Sequence, residues 1–147
     1  MVREALLAVH LLAAATWVGG TVALVFAGVP AIRTLEGEHR ALALRTLGQR
    51  WRPISWGSIA VLLVTGLILA RRDHIFDRPL FWIKLGLVVA LAVSSYVHDF
   101  RLGPGLARQI REGRPQTLRP RLVVVGWTSF ALTLIVPVLG VILVEGS

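Results

Sequence analysis

The sequence has no cysteine. That excludes a disulfide framework, a thiolate metal site and a redox thiol. Its single methionine is the first residue, so the soft sulfur ligands that Cu(I) favours are missing from every apolar run. Lysine is nearly as scarce: Lys84 stands alone among 16 basic residues, and the others are arginine. Acidic residues number 8, and charged residues of both signs make up only 16% of a chain that is 55% hydrophobic. A soluble domain of 147 residues needs more polar surface than this. Long stretches carry no charge, and the charges gather between them. The net charge of +8 invites a nucleic-acid reading. The arginines form no continuous basic face, however, so nucleic acid is excluded as a partner and basic loops beside anionic lipid account for the charge.

What is present is four apolar runs, at about residues 5–29, 54–70, 80–97 and 122–144. Each is near the roughly 20 residues that cross a bilayer. Pro53, Pro79 and Pro120 stand just before the last three, where proline starts helices well, and Pro30 follows the first as a stop. The first run is expected to be a retained span and not a signal peptide: it is long, its basic start is only Arg3 beside Glu4, and it carries His10 and Trp17. The expected fold is all-α, a single transmembrane domain of four helices over residues 1–147, in a bundle within the lipid bilayer of a bacterial-type cytoplasmic (inner) membrane.

Arginine counts orient the spans. The loop after span one holds Arg33, Arg40, Arg45, Arg50 and Arg52; the loop after span three holds Arg101, Arg108, Arg111, Arg114, Arg119 and Arg121. The positive-inside rule puts both in the cytoplasm, and so both termini and the short loop 71–79 outside. Leu44, Leu47 and Trp51 recur at helical spacing among arginines, which predicts a short interfacial helix over Gly37–Arg52 between spans one and two. Segment 103–120, opening Gly-Pro-Gly, is expected to be loop with at most a short helix.

Polar residues inside spans are costly and therefore candidates for function. His10 lies a few residues into span one, on a face with Ala13, Ala14, Trp17 and Thr21; Gly19 and Gly20 also permit close approach. Span three has a stripe of Lys84, Val88, Leu91, Ser95 and His98, which puts Lys84 near the outer end and His98 near the cytoplasmic end. Span two carries Ser58, Thr65 and Arg72 on one stripe, with Arg71 and His74 close by. Gly126, Ser129, Thr133, Pro137 and Gly140 give span four a small-residue packing face, for use within the bundle or between two copies in a homodimer. Each polar residue also has an ordinary explanation. His10 can be a hydrogen-bonded structural histidine, His74 a solvated loop residue, His98 an interfacial one, and Lys84 a snorkelling cation.

The outer third thus collects His10, Lys84, Arg71, Arg72 and His74, with Trp17 and Trp82 near them. Two imidazoles plus cations suit haem b, with histidine on the iron and basic side chains on the propionates. They suit copper as well, with Asp73 or Asp77 as a further ligand.

The segment from His10 through Trp17 to Gly19-Gly20 resembles the opening signature of the copper-resistance protein D (CopD) family. Leu63-Val-Thr65-Gly66, Lys84-Leu-Gly-Leu-Val and His98-Asp99-Phe-Arg-Leu-Gly103-Pro104 resemble it further along. The arrangement is also similar to HemJ-type four-helix membrane haem proteins. There the characteristic first-helix His and third-helix Lys would fall on His10 and Lys84; a further His of that pattern is Trp82 here. CopD-type function implies copper passage with a periplasmic copper-binding partner.

Three readings follow. The first is a haem b protein for electron transfer or porphyrin redox chemistry. It would use His10 and His74 as axial ligands, with Arg71, Arg72 and Lys84 on the propionates and a periplasmic redox partner. The second is a copper-handling protein with a histidine metal site drawn from His10, His74 and His98. The third is a structural or assembly subunit without a cofactor.

Overall fold

The computed structural model describes the backbone of residues 1–145, and the side chains of all of these but 111 and 143–145. Helix α1 (Val2–Ala23) runs through a π-helical turn, Leu24–Gly28, into α2 (Val29–Arg33). Helix α3 (Gly37–Arg72) follows, then a 3-10 turn at Ile75–Asp77 and α4 (Pro79–Tyr96). A second π-helical segment, Val97–Leu102, leads from α4 into α5 (Gly103–Arg111), and α6 (Arg119–Glu145) closes the order. There is no strand among the described residues.

Four of these helical stretches are long and apolar enough to cross a membrane: Val2–Arg33, Gly37–Arg72, Pro79–Ile110 and Arg119–Ile142. Large apolar side chains point outward along them, with Leu12 68%, Val93 58% and Val138 59% exposed. In water such surface would drive aggregation; in hydrocarbon it is the ordinary lipid-facing side of a span. The chain is a multi-pass membrane protein.

Expected boundaries move: span three, expected to end near 97, continues as helix to Ile110, and two further boundaries shift. Span one does not stop at Pro30, because the helix continues to Arg33. The π turn just before it explains why. There Val29 N–H bonds to the carbonyl of Leu24, five residues back, and the widened turn makes room for a proline ring that would crowd the i−4 carbonyl of a regular helix. The interfacial helix Gly37–Arg52 is likewise not a separate element. It and span two form one helix of 36 residues, about 54 Å long at 1.5 Å per residue, with Pro53 inside it. Tertiary contacts on both sides of Pro53 hold it. The Trp51 ring occupies the space a Cβ on Gly20 would need, 2.0 Å away, and Trp17 Nε1 donates to Ser55 Oγ at 3.1 Å. Leu47 lies 3.7 Å from where a Gly28 Cβ would stand. Two members of the apolar stripe read as facing headgroups therefore pack on the first helix.

The chain divides into two compact units, the first from Met1 to Ile75 and the second from Phe76 onward. In the first, α1 and α3 lie antiparallel. Arg3 meets Asp73, His10 meets Thr65 and Gly66, Trp17 meets Ser55, and Gly20 meets Trp51, in steady register. Gly37, with φ +51, takes the left-handed backbone that starts the return.

In the second unit, α4 and α6 are the antiparallel pair. Lys84 lies against Gly140, Ser94 against Ser129, and His98 against Gly126. Leu91 and Thr133 are the most deeply buried side chains, each 2% exposed. The small-residue face of span four is thus used within the chain, against α4. Segment 103–120 contains a short helix, α5, closed by a clasp. Gln109 donates to Thr117 Oγ1 (2.9 Å) and accepts from Leu118 N–H (3.3 Å), and Leu118 fills the space beside Gly105.

Candidate metal ligands

His10 is half-buried between α1 and α3. Its Nδ1 stands 2.7 Å from Thr65 Oγ1, and that hydroxyl donates its own proton to the Val61 carbonyl at 2.6 Å. A hydroxyl has one proton to give, so Nδ1 carries the hydrogen and Thr65 accepts it. The neutral ring then has its lone pair on Nε2, the form in which imidazole binds a metal. The ring lies over Gly66, whose Cβ would stand 3.3 Å from His10 Cε1. Thr65 is 6% exposed, so it is a fixed partner.

His98 repeats the device in the second unit. Its Nδ1 is 2.9 Å from Asp99 Oδ1; a carboxylate oxygen accepts, so Nδ1 again carries the hydrogen, and in the neutral form of the ring Nε2 has the lone pair. Cδ2 and Nε2 each lie 3.5 Å from the Cβ position of Gly126. Both His98 and Asp99 lie in the π-helical segment, a local widening that recurs at functional sites.

Residues 45–143 match the family described as copper resistance protein D. The chain belongs to the copper resistance protein D family. No curated protein and no solved structure matches it. The family match covers Thr65, Gly66, Arg71, Arg72, His74, Lys84 and His98, and begins after His10.

The remaining candidates of this copper-resistance-family chain are placed as follows. Trp17 is 6% exposed and spends its indole N–H on Ser55, a packing contact. Arg71 and Arg72 are exposed in the last turn of α3, where cations complement the helix dipole. His74 is exposed just past that helix, with φ +50. It is nine residues beyond Thr65, roughly 13 Å along α3, so the first unit does not bring the rings of His10 and His74 side by side. Asp73 is bound by Arg3 through three contacts of 3.0–3.3 Å, and this pairing with a guanidinium lowers its pKa below 3.8.

Lys84 belongs to the second unit. Its Nζ lies 2.8 Å from where a Cβ on Gly140 would stand, so the amine rests against the backbone of α6. Trp82, 57% exposed, donates to the Phe76 carbonyl at 2.9 Å and forms an aromatic cluster with Phe76 and Phe81, in keeping with an interfacial belt.

Among the described residues, no three His, Asp or Glu side chains are grouped so as to hold a metal ion. The close approach that Gly20 permits is taken by the Trp51 ring, and that at Gly66 by the His10 ring. Sequence reasoning missed the partners. Thr65 was read as part of a polar stripe, but not as the acceptor for His10. On span three the serine that bonds across is Ser94 (2.7 Å to Ser129) and not Ser95 of the stripe.

Proposed function

We propose that this chain handles copper in the membrane, with His10 as the imidazole that meets the ion within span one and His98 as a second, separate contact. Copper is cargo in this reading. Membership of the copper resistance protein D family supports the metal. The observation that carries the residues is the shared hydrogen-bond design: an oxygen holds Nδ1–H of each ring, Thr65 for His10 and Asp99 for His98, so that in the neutral ring Nε2 is the metal-binding nitrogen. Such outer partners orient a ligating histidine and raise its basicity.

The donor set favours Cu(II). Imidazole and carboxylate suit it, while Cu(I) prefers the sulfur this chain lacks inside its spans. With the orientation read from the arginines, His10 serves the outer side and His98 the cytoplasmic side of an inner membrane. A periplasmic copper-binding protein would then be the natural source of the ion.

The test is Cu(II) titration of the detergent-purified protein, followed by electron paramagnetic resonance. Nitrogen coupling that weakens in His10→Ala and in His98→Ala, and disappears in the double variant, is expected. Undiminished binding in the double variant overturns the reading. So does a Soret band that copurifies with the wild type and is lost in His10→Ala, because that outcome assigns His10 to haem.

A further inference from the structure

The second unit carries a groove that copper handling does not use. It has a volume of about 510 Å³ and is lined by Val97, Leu102, Pro120, Arg121, Val124 and Val125. Five of its six walls are hydrocarbon and the sixth is an arginine. The groove opens where α4 passes through its π-helical segment and α6 begins, at one membrane end of the unit.

The surroundings of that end are basic. Between residues 101 and 121 the sequence holds six arginines and one acid, Glu112. Arg101, Arg108, Arg114, Arg119 and Arg121 are exposed; the side chain of Arg111 lies outside the described residues. Glu112 is paired with Arg114, and no ion pair involves Arg121 among the described residues. The Gln109 clasp and the Leu118–Gly105 contact tie the return segment to α5, so this is a folded basic surface. Tyr96 and Phe100 stack at 5.2 Å on the exposed side of the same end, where aromatic rings mark the headgroup level.

We propose that this groove is a binding site for an anionic phospholipid, with an acyl chain along Val97, Leu102, Val124 and Val125 and the headgroup phosphate at Arg121. A single cation lining an apolar groove, in an arginine-rich segment and next in sequence to an aromatic pair, is complementary to a phosphate ester on a hydrocarbon chain. Basic pockets between spans select anionic headgroups by this chemistry. Guanidinium suits it best, since its planar fork bonds two phosphate oxygens at once. Exposed arginines without the groove would attract anionic lipid only diffusely, with a dependence on salt.

The experiment is native mass spectrometry of the full chain released from nanodiscs of mixed phosphatidylglycerol and phosphatidylcholine. The wild type is expected to retain phosphatidylglycerol through delipidation. Arg121→Gln should reduce that retention about tenfold, on the scale of a charge-assisted hydrogen bond. Val124→Phe, which fills the groove and leaves every charge in place, should reduce it for phosphatidylcholine as well. Equal retention of the two lipids by the wild type overturns the site. So does unchanged retention in Arg121→Gln and Val124→Phe, which would leave only the annular lipid any span attracts. Retention that vanishes in 0.5 M salt, about the range where surface charges are screened, overturns it too. Copper binding at His10, which lies in the other unit, is expected to be normal in both variants, so the two proposals fail independently.

Discussion

Thr65 accepts a hydrogen bond from His10 Nδ1 at 2.7 Å and donates its own to the Val61 carbonyl at 2.6 Å. One hydroxyl thereby fixes the tautomer and the tilt of the imidazole. Thr65→Val keeps the shape and removes the acceptor. It is expected to weaken Cu(II) binding by about 10- to 100-fold, the usual cost of losing an outer partner of a histidine ligand. Thr65→Ser should restore it. Titration of the three proteins checks this; equal affinity in Thr65→Val would detach the threonine from the site.

Gly20 is required by its neighbour. A methyl there would sit 2.0 Å from the Trp51 ring, whereas nothing lies within 4 Å of a Cβ on Gly19. Gly20→Ala is expected to destabilise the first unit by about 1–3 kcal/mol, the ordinary range for overpacking. Gly19→Ala should be neutral or slightly stabilising, because alanine favours helix over glycine. Thermal unfolding in detergent, followed by the tryptophan signal, separates them.

The four spans were legible because their signal is composition over a length, and a bilayer imposes both. The packing face of span four was legible too, since Gly126, Ser129, Thr133 and Gly140 recur at helical spacing. What escaped was whatever a second helix decides. Pro30 and Pro53 read as boundaries because proline lacks an N–H, yet a π turn absorbs the first and the Trp51 and Ser55 contacts hold the helix through the second. His10 and His98 were recognisable as costly residues in spans. Their partners were not: Thr65 is 55 positions from His10 and no periodicity links them. The family match covers the span with His98 and not the one with His10. His10 therefore rests on its hydrogen bond and on the resemblance of its own segment.

Asp73 predicts a pH dependence. Its pairing with Arg3 lowers the folded-state pKa below 3.8. A depressed carboxylate contributes stability that is fully present above the unfolded pKa and is lost as pH falls through the folded one. Asp73→Asn is therefore expected to lower stability by a constant, small amount from neutral pH down to about pH 5, because the pair is exposed. The gap to the wild type should close below 3.8 as Asp73 itself becomes protonated. Unfolding midpoints of the two proteins across this range provide the measurement. A gap that persists in acid would mean that the residue acts through something other than its charge.

The Ser94–Ser129 pair gives the second unit its clearest polar contact between helices. Ser129 also donates to the Val125 carbonyl of its own helix at 3.0 Å, so Ser94 is the donor across the 2.7 Å gap. The two deletions differ in consequence. Ser129→Ala removes the acceptor, but Ser94 still has the Val125 carbonyl within reach at 3.4 Å. Ser94→Ala removes the donor and leaves Ser129 its intrahelical bond. Neither change strands a buried polar group, so both should be mild. A double-mutant cycle is expected to return a coupling near 0.6 kcal/mol, the average for hydrogen bonds between membrane helices. Ser95→Ala, one position along α4 and without this partner, should show no coupling to Ser129. If Ser95 couples and Ser94 does not, α4 is rotated by about 100° from the packing described, and the contacts of Lys84 and His98 with α6 would turn with it.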